Sequence, residues 1–162
     1  MEYIDIRDKN GRLIGKKSPR GTRLRKEEFF LAVAIVVRCK EMWLTTRRAS
    51  AKTAAGKWEF PGGGVQAGEN SLTAARRELL EETGLQPSSS SFCLKGRLAF
   101  TAKNMFMDIY EVTIPNLNLS LLNLQPEEVC DARLVTKEEL STMPDILPSI
   151  SRILEAFYPD SQ

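Results

Sequence analysis

Residues 61–85, PGGGVQAGENSLTAARRELLEETGL, concentrate glycine, carboxylate and helix-forming residues as no other part of the chain does. From Leu72 to Glu82, leucine, alanine, arginine and glutamate favour a helix. Leu72, Ala75 and Leu79 recur three and four apart, so one face packs on a core. Asn70 is placed to cap this helix and Gly84 to end it. At roughly 100° per residue, Glu78, Glu81 and Glu82 share one face of the last turns. Like charges at i,i+4 cost a helix about 0.2–0.5 kcal/mol, and acids near a C-terminus oppose its dipole. Either these acids form a solvated face, as charge runs commonly do, or something outside the helix compensates them. Mg²⁺ would do so, since it takes oxygen ligands and shares them with substrate phosphates. The run Gly62-Gly63-Gly64 would let backbone approach such an ion or a phosphate without a Cβ in the way. Arg77 would fork onto one carboxylate.

Taken together, Gly63, Glu69, Arg77-Glu78-Leu79, Glu81-Glu82 and Gly84-Leu85 resemble the Nudix box of the Nudix hydrolase superfamily at each of its defined positions. The resemblance implies that Glu78, Glu81 and Glu82 ligate Mg²⁺, or Mn²⁺ in its place, or assist the attacking water. It implies a further ligand from the Gly62 carbonyl and an orienting role for Arg77. Glu69 would join a second metal or hold the loop, and Gly63 and Gly84 would be structural. Which glutamate is the general base stays open, because it differs among Nudix enzymes.

The bulk numbers suit one soluble domain. The chain has 162 residues, 42% hydrophobic and 27% charged. Its 23 basic and 21 acidic residues leave a net charge of +2, too balanced to imply a nucleic-acid partner. Cys39, Cys93 and Cys130 are far apart with no C-x-x-C pair, which predicts buried or half-buried free thiols in a reducing compartment. The start does not resemble a signal peptide, and the apolar run Phe29 to Val37 is too short to span a bilayer, so no membrane partner and a cytoplasmic location are expected. Histidine is absent altogether, which excludes Ser-His-Asp and Cys-His nucleophile systems, His-ligated zinc and a histidine base. Carboxylates and a metal remain.

Tyr3 to Arg7 alternates, Asn10-Gly11 reads as a two-residue turn, and Arg12 to Gly15 returns, which predicts an N-terminal hairpin. A basic connection follows, with Lys16, Lys17, Arg20, Arg23, Arg25 and Lys26, either a solvated loop or a receiver of an anionic substrate. Phe29 to Val37 suits a strand covered on both faces, and Met42 to Thr46 should pair with it. Arg47 and Arg48 lead through a small-residue loop to Trp58-Glu59-Phe60-Pro61-Gly62-Gly63, an approach that also looks like Nudix enzymes. Strands are expected at Lys95 to Phe100 and Met105 to Val112, and Asn116 to Leu124 reads as irregular. Glu127 and Glu128 precede a strand and are similar to a Nudix segment that supplies another carboxylate to the metal, or they are an exposed strand end. Thr136 to Glu139 has capping-box spacing, and Ile150, Ile153, Leu154 and Phe157 make one apolar face of a closing helix.

The expected fold is α/β, a Nudix α/β/α sandwich around a central mixed sheet with an N-terminal β-hairpin added. Residues 1–27 would be the hairpin and basic connection of the same domain, 28–158 the hydrolase domain and 159–162 a tail. The hairpin and the basic Arg-Gly segment are similar to a branch of the family related to isopentenyl diphosphate isomerases. The implied function is Mg²⁺-dependent hydrolysis of a nucleoside diphosphate linked to another moiety, a small-molecule phosphoanhydride. A prenyl diphosphate isomerase and a catalytically silent nucleotide sensor are the alternatives. Arg25, Arg48, Phe29 and Phe106 are candidate substrate contacts, and a homodimer is left open.

Overall fold

The apolar run becomes β3 (Phe30–Cys39), the strand on which the rest of the chain is layered in a computed structural model that describes residues 1–160. The last two residues of the tail expected over 159–162 lie outside the described residues. Side chains alternate across β3. Leu31, Val33, Ile35 and Val37 pack against Ala74, Ala75 and Leu79 of α1 (Ser71–Thr83). Ala34 and Val36 face the other way, onto Leu140 of α2 (Lys137–Thr142) and Ile150 and Ile153 of α3 (Pro148–Phe157). Helices therefore cover both faces of the sheet, the sandwich that the pattern predicts.

The sheet has seven strands and is mixed. β3 runs parallel to β8 (Met105–Thr113), which pairs antiparallel with the edge strand β7 (Cys93–Phe100). On its other side β3 meets β4 (Met42–Arg48) only at Arg38↔Trp43 and Cys39↔Met42. Beyond that point the two strands take different partners. β4 pairs with β5 (Trp58–Glu59) and β9 (Val129–Val135), whereas β3 pairs with β6 (Gly62–Gly64). Phe60 and Pro61 carry the chain from one half of the divided sheet to the other, and a cavity lies between them.

The hairpin is present as a separate sheet of β1 (Tyr3–Arg7) and β2 (Leu13–Pro19). Its turn is wider than the two residues expected, because the Asp8 carboxylate accepts the N–H groups of Asn10 (2.9 Å) and Arg12 (3.0 Å) and draws the loop around itself. β2 then continues to Pro19, so Lys16 and Lys17 belong to a strand rather than to a loop. Arg7 and Phe29 exchange backbone hydrogen bonds and join the hairpin to the main sheet. Cys39 is buried as expected, but Cys93 and Cys130 are exposed, because they occupy outward positions on β7 and β9. Among the described residues no helix is long and apolar enough to cross a membrane.

Candidate active site

The Asn70 side chain caps α1 by accepting the N–H of Thr73 (2.8 Å), and Gly84 ends it at φ 78°, a left-handed conformation that glycine adopts freely. Burying Ala74, Ala75 and Leu79 rotates Glu78 and Glu82, one turn apart, inward; they are 7% and 2% exposed. Glu81 lies off that face and is exposed. Arg77 links the acids. Its Nε and Nη2 fork onto Glu69 at 2.8 and 3.0 Å, Nη1 donates to Glu78 at 2.7 Å and more distantly to Glu81 at 3.4 Å, and Nη2 also reaches the Gly64 carbonyl at 3.0 Å. Glu69 additionally accepts the Gln66 N–H, so it holds the loop that leads into the helix.

The glycine run makes room for these acids and for the neighbouring strand. A Cβ on Gly63 would sit 2.4 Å from the Glu78 carboxylate, and one on Gly62 would sit 2.1 Å from the Val33 carbonyl oxygen. Hydrogen there lets β6 lie against β3 while Glu78 lies against β6. Burial pushes the proton affinity of Glu78 up, although Arg77 opposes it. Glu82 is raised well above the carboxylate range, by burial first and then by the charges of Glu59 and Glu78. Its one hydrogen bond among the described residues is from the Gly62 N–H at 3.3 Å.

In the cavity wall stand Glu59 and Lys52, two groups that sequence reasoning left out of the site. Glu59, on β5, is held by Arg48 Nη1 at 2.9 and 3.1 Å, while Arg48 also donates to the carbonyl and hydroxyl of Thr53. Burial raises the Glu59 pKa against the pull of Arg48. Lys52 pairs with Glu128. Alternation offered a signal for Glu59, since it follows the buried Trp58 and so faces the opposite side of the strand. The cavity measures about 400 Å³; Gly62, Gly63, Glu59, Arg48, Lys52, Arg20 and Lys103 line its polar part, and Phe30, Phe100, Met105 and Met107 are on its apolar wall.

The structure places Gly62, Gly63 and Arg48 in the cavity lining, sets Glu78 against Gly63 and Glu82 against the Gly62 N–H just outside that lining, and sends other candidates elsewhere. Phe29 and Phe106 stack on each other in the core, ring centroids 4.9 Å apart, and do not line the cavity. Residues 30 and 105, their neighbours, do so instead, because successive side chains on a strand point to opposite faces. Arg25 is exposed and lies off the cavity. Glu127 is exposed, whereas Glu128 turns inward to Lys52. Among the described residues no three carboxylate or thiol side chains cage an ion. A divalent cation nevertheless fits the donors present. Mg²⁺ commonly takes one or two carboxylates and completes its shell with water and phosphate, and Glu82 is a buried acid with no side-chain cation bonded to it.

A model of the NUDIX domain matches residues 28–157. An uncharacterized Nudix hydrolase of Listeria monocytogenes is 32% identical over 146 residues, covering 88% of this chain and 85% of that one. The 8-oxo-dGTP diphosphatase of Escherichia coli is 36% identical over 75 residues, 46% of this chain and 58% of that one. A crystal structure of a Deinococcus radiodurans protein superposes with a TM-score of 0.82 at 20% identity, covering 98% of this chain and all of that one, a likeness of fold.

Proposed function

The chain belongs to the Nudix hydrolase family, and from that premise we propose that it hydrolyses a nucleoside diphosphate linked to another moiety, using Mg²⁺ or Mn²⁺ held by Glu78 and Glu82. The observation that carries this reading is the pair of inward carboxylates beside a cavity with a cationic rim and an apolar wall. When bound, the ion neutralises phosphate charge and lowers the pKa of a coordinated water. Arg77 holds the Glu78 carboxylate in one orientation, so little reorganisation is left for the moment of reaction. Arg48 holds Glu59 in the opposite wall in the same way. The apolar wall takes a base or another flat, weakly polar group and shields it from water. Residues 28–158 form the catalytic unit in this reading, and residues 1–27 belong to the same domain. Cys39 is buried at the end of β3, with its thiol on the Pro115 carbonyl, and among the described residues no cysteine lines the cavity, which disfavours the prenyl isomerisation reading.

The test is a screen of nucleoside triphosphates, oxidised dNTPs, nucleotide sugars, dinucleoside polyphosphates, coenzyme A and prenyl diphosphates, with and without Mg²⁺, identifying every phosphorus-containing product. Hydrolysis should require the metal and stop in EDTA. An intact diphosphate with a moved double bond would make the protein an isomerase, and binding without turnover would make it a sensor.

A further inference from the structure

The N-terminal hairpin lies outside the matched NUDIX span, yet it is stitched to the loop that carries Glu69. Ala67 N–H donates to the Tyr3 carbonyl at 2.8 Å, Gly68 N–H to the Asp5 carboxylate at 2.7 Å, and the Gln66 side-chain amide to Glu2 at 3.3 Å. At the far end of β2, Arg20 N–H donates to the Glu2 carbonyl at 2.9 Å, and Arg20 Nη1 donates to the Glu2 carboxylate at 2.8 Å. These contacts place the Arg20 guanidinium in the cavity wall next to Gly64, where a Cβ on that glycine would be 3.9 Å from its Cζ and Nε. The same side chain also borders the adjoining concavity beside Ile4 and Phe30.

Three other cations of the site already serve its acids; Lys103, also on the cavity wall, pairs with none of them among the described residues, but its ammonium lacks the fork of a guanidinium. Arg77 is occupied by Glu69, Glu78 and the Gly64 carbonyl, Arg48 by Glu59 and Thr53, and Lys52 by Glu128. Arg20 differs. Among the described residues its Nε and Nη2 make no hydrogen bond, and its one partner, Glu2, has a side chain 47% exposed. Glu59, Glu78 and Glu82 would repel an entering phosphate, and a guanidinium with a free Nε–Nη2 edge presents two parallel donors matched to two phosphate oxygens.

We infer that Arg20 binds a phosphate of the substrate, so that the hairpin is a working part of the active site and Glu2 holds the guanidinium ready. This assignment rests on the phosphoanhydride reading given above. ADP serves as the binding probe for the full-length protein, measured by titration calorimetry at several salt concentrations. Arg20→Ala should weaken ADP at least about 10-fold and flatten the salt dependence, because two charge-assisted hydrogen bonds are lost. KM for the substrate found in the screen should rise in parallel while kcat stays within about 3-fold. Arg20→Lys should recover the charge but only part of the affinity, since an ammonium lacks the fork. Arg12→Ala, which removes an equal charge from the exposed turn of the same hairpin, should bind ADP as the wild type does. Unchanged ADP binding in Arg20→Ala, an equal loss in Arg12→Ala, or a wild type that does not bind ADP would overturn the assignment. Should Arg20→Ala fail to fold, Arg20→Lys and Arg20→Gln give the same comparison. Arg20-dependent ADP binding without any hydrolysis would remove the hydrolase reading and keep this one; hydrolysis indifferent to Arg20 would do the reverse.

Discussion

Glu82→Gln should make the metal-free protein more stable and the enzyme nearly inactive. Glutamine keeps the volume and an oxygen for the Gly62 N–H at 3.3 Å, and it removes a charge from a side chain that is 2% exposed. Burial, followed by the charges of Glu59 and Glu78, raises the pKa of Glu82 in the folded state. For an acid this sign means that folding is penalised once the pH passes the unfolded carboxylate pKa, and the amide escapes that penalty at neutral pH. Relief of a buried, poorly compensated polar group is worth about 1–3 kcal/mol, or a rise in Tm of roughly 3–10 °C for a domain of this size. Metal should reverse the order. An ion at 100 times its Kd stabilises the wild type by about 2.7 kcal/mol, and the variant should gain much less. Turnover should fall at least about 100-fold, the scale of losing one preorganised electrostatic contact. Scanning calorimetry in EDTA and in Mg²⁺, run beside the turnover assay, decides it. A variant that melts below the wild type in EDTA, shows the same Mg²⁺ shift and keeps its turnover would refute the reasoning.

Glu69 predicts the opposite pH behaviour. Burial works against its charge, but the Arg77 fork and the Gln66 N–H outweigh burial and hold its pKa below the usual range. Its stabilisation is therefore complete above the unfolded pKa and is lost as the pH falls through the lower folded value. Glu69→Gln should cost about 1 kcal/mol at pH 7 after solvent screening and converge with the wild type in acid, as read by urea unfolding across pH; a constant offset at every pH would contradict the assignment. Gly63→Ala would drive a methyl into the Glu78 carboxylate, at 2.4 Å, so turnover should drop on the order of 100-fold through a displaced side chain. Gly62→Ala meets the Val33 backbone at 2.1 Å and should lower Tm more than Gly63→Ala does; equal melting of the two variants would show that β6 yields as easily as a side chain.

What the chain announces in its sequence is what depends on neighbours a few residues apart. The Asn70 cap and Gly84 stop of α1, the capping box at Thr136 and Glu139, the two-faced β3 and the apolar stripe of α3 all follow from local chemistry and from the periods of helix and strand. So does the spacing of the box itself. Tertiary structure decided which of the three helix acids faces inward. Glu78 and Glu82 do so and Glu81 does not, because Ala74, Ala75 and Leu79 set the rotation of the helix against β3. It also placed Phe29 against Phe106 in the core and Phe30 and Met105 at the cavity, a choice made by which face of a parallel strand pair closes over α1. Glu59 and Arg20 join the site only because β3 and β4 part after two residue pairs and the hairpin folds back onto residues 66–68. Those are meetings between segments distant along the chain, and no local period encodes them.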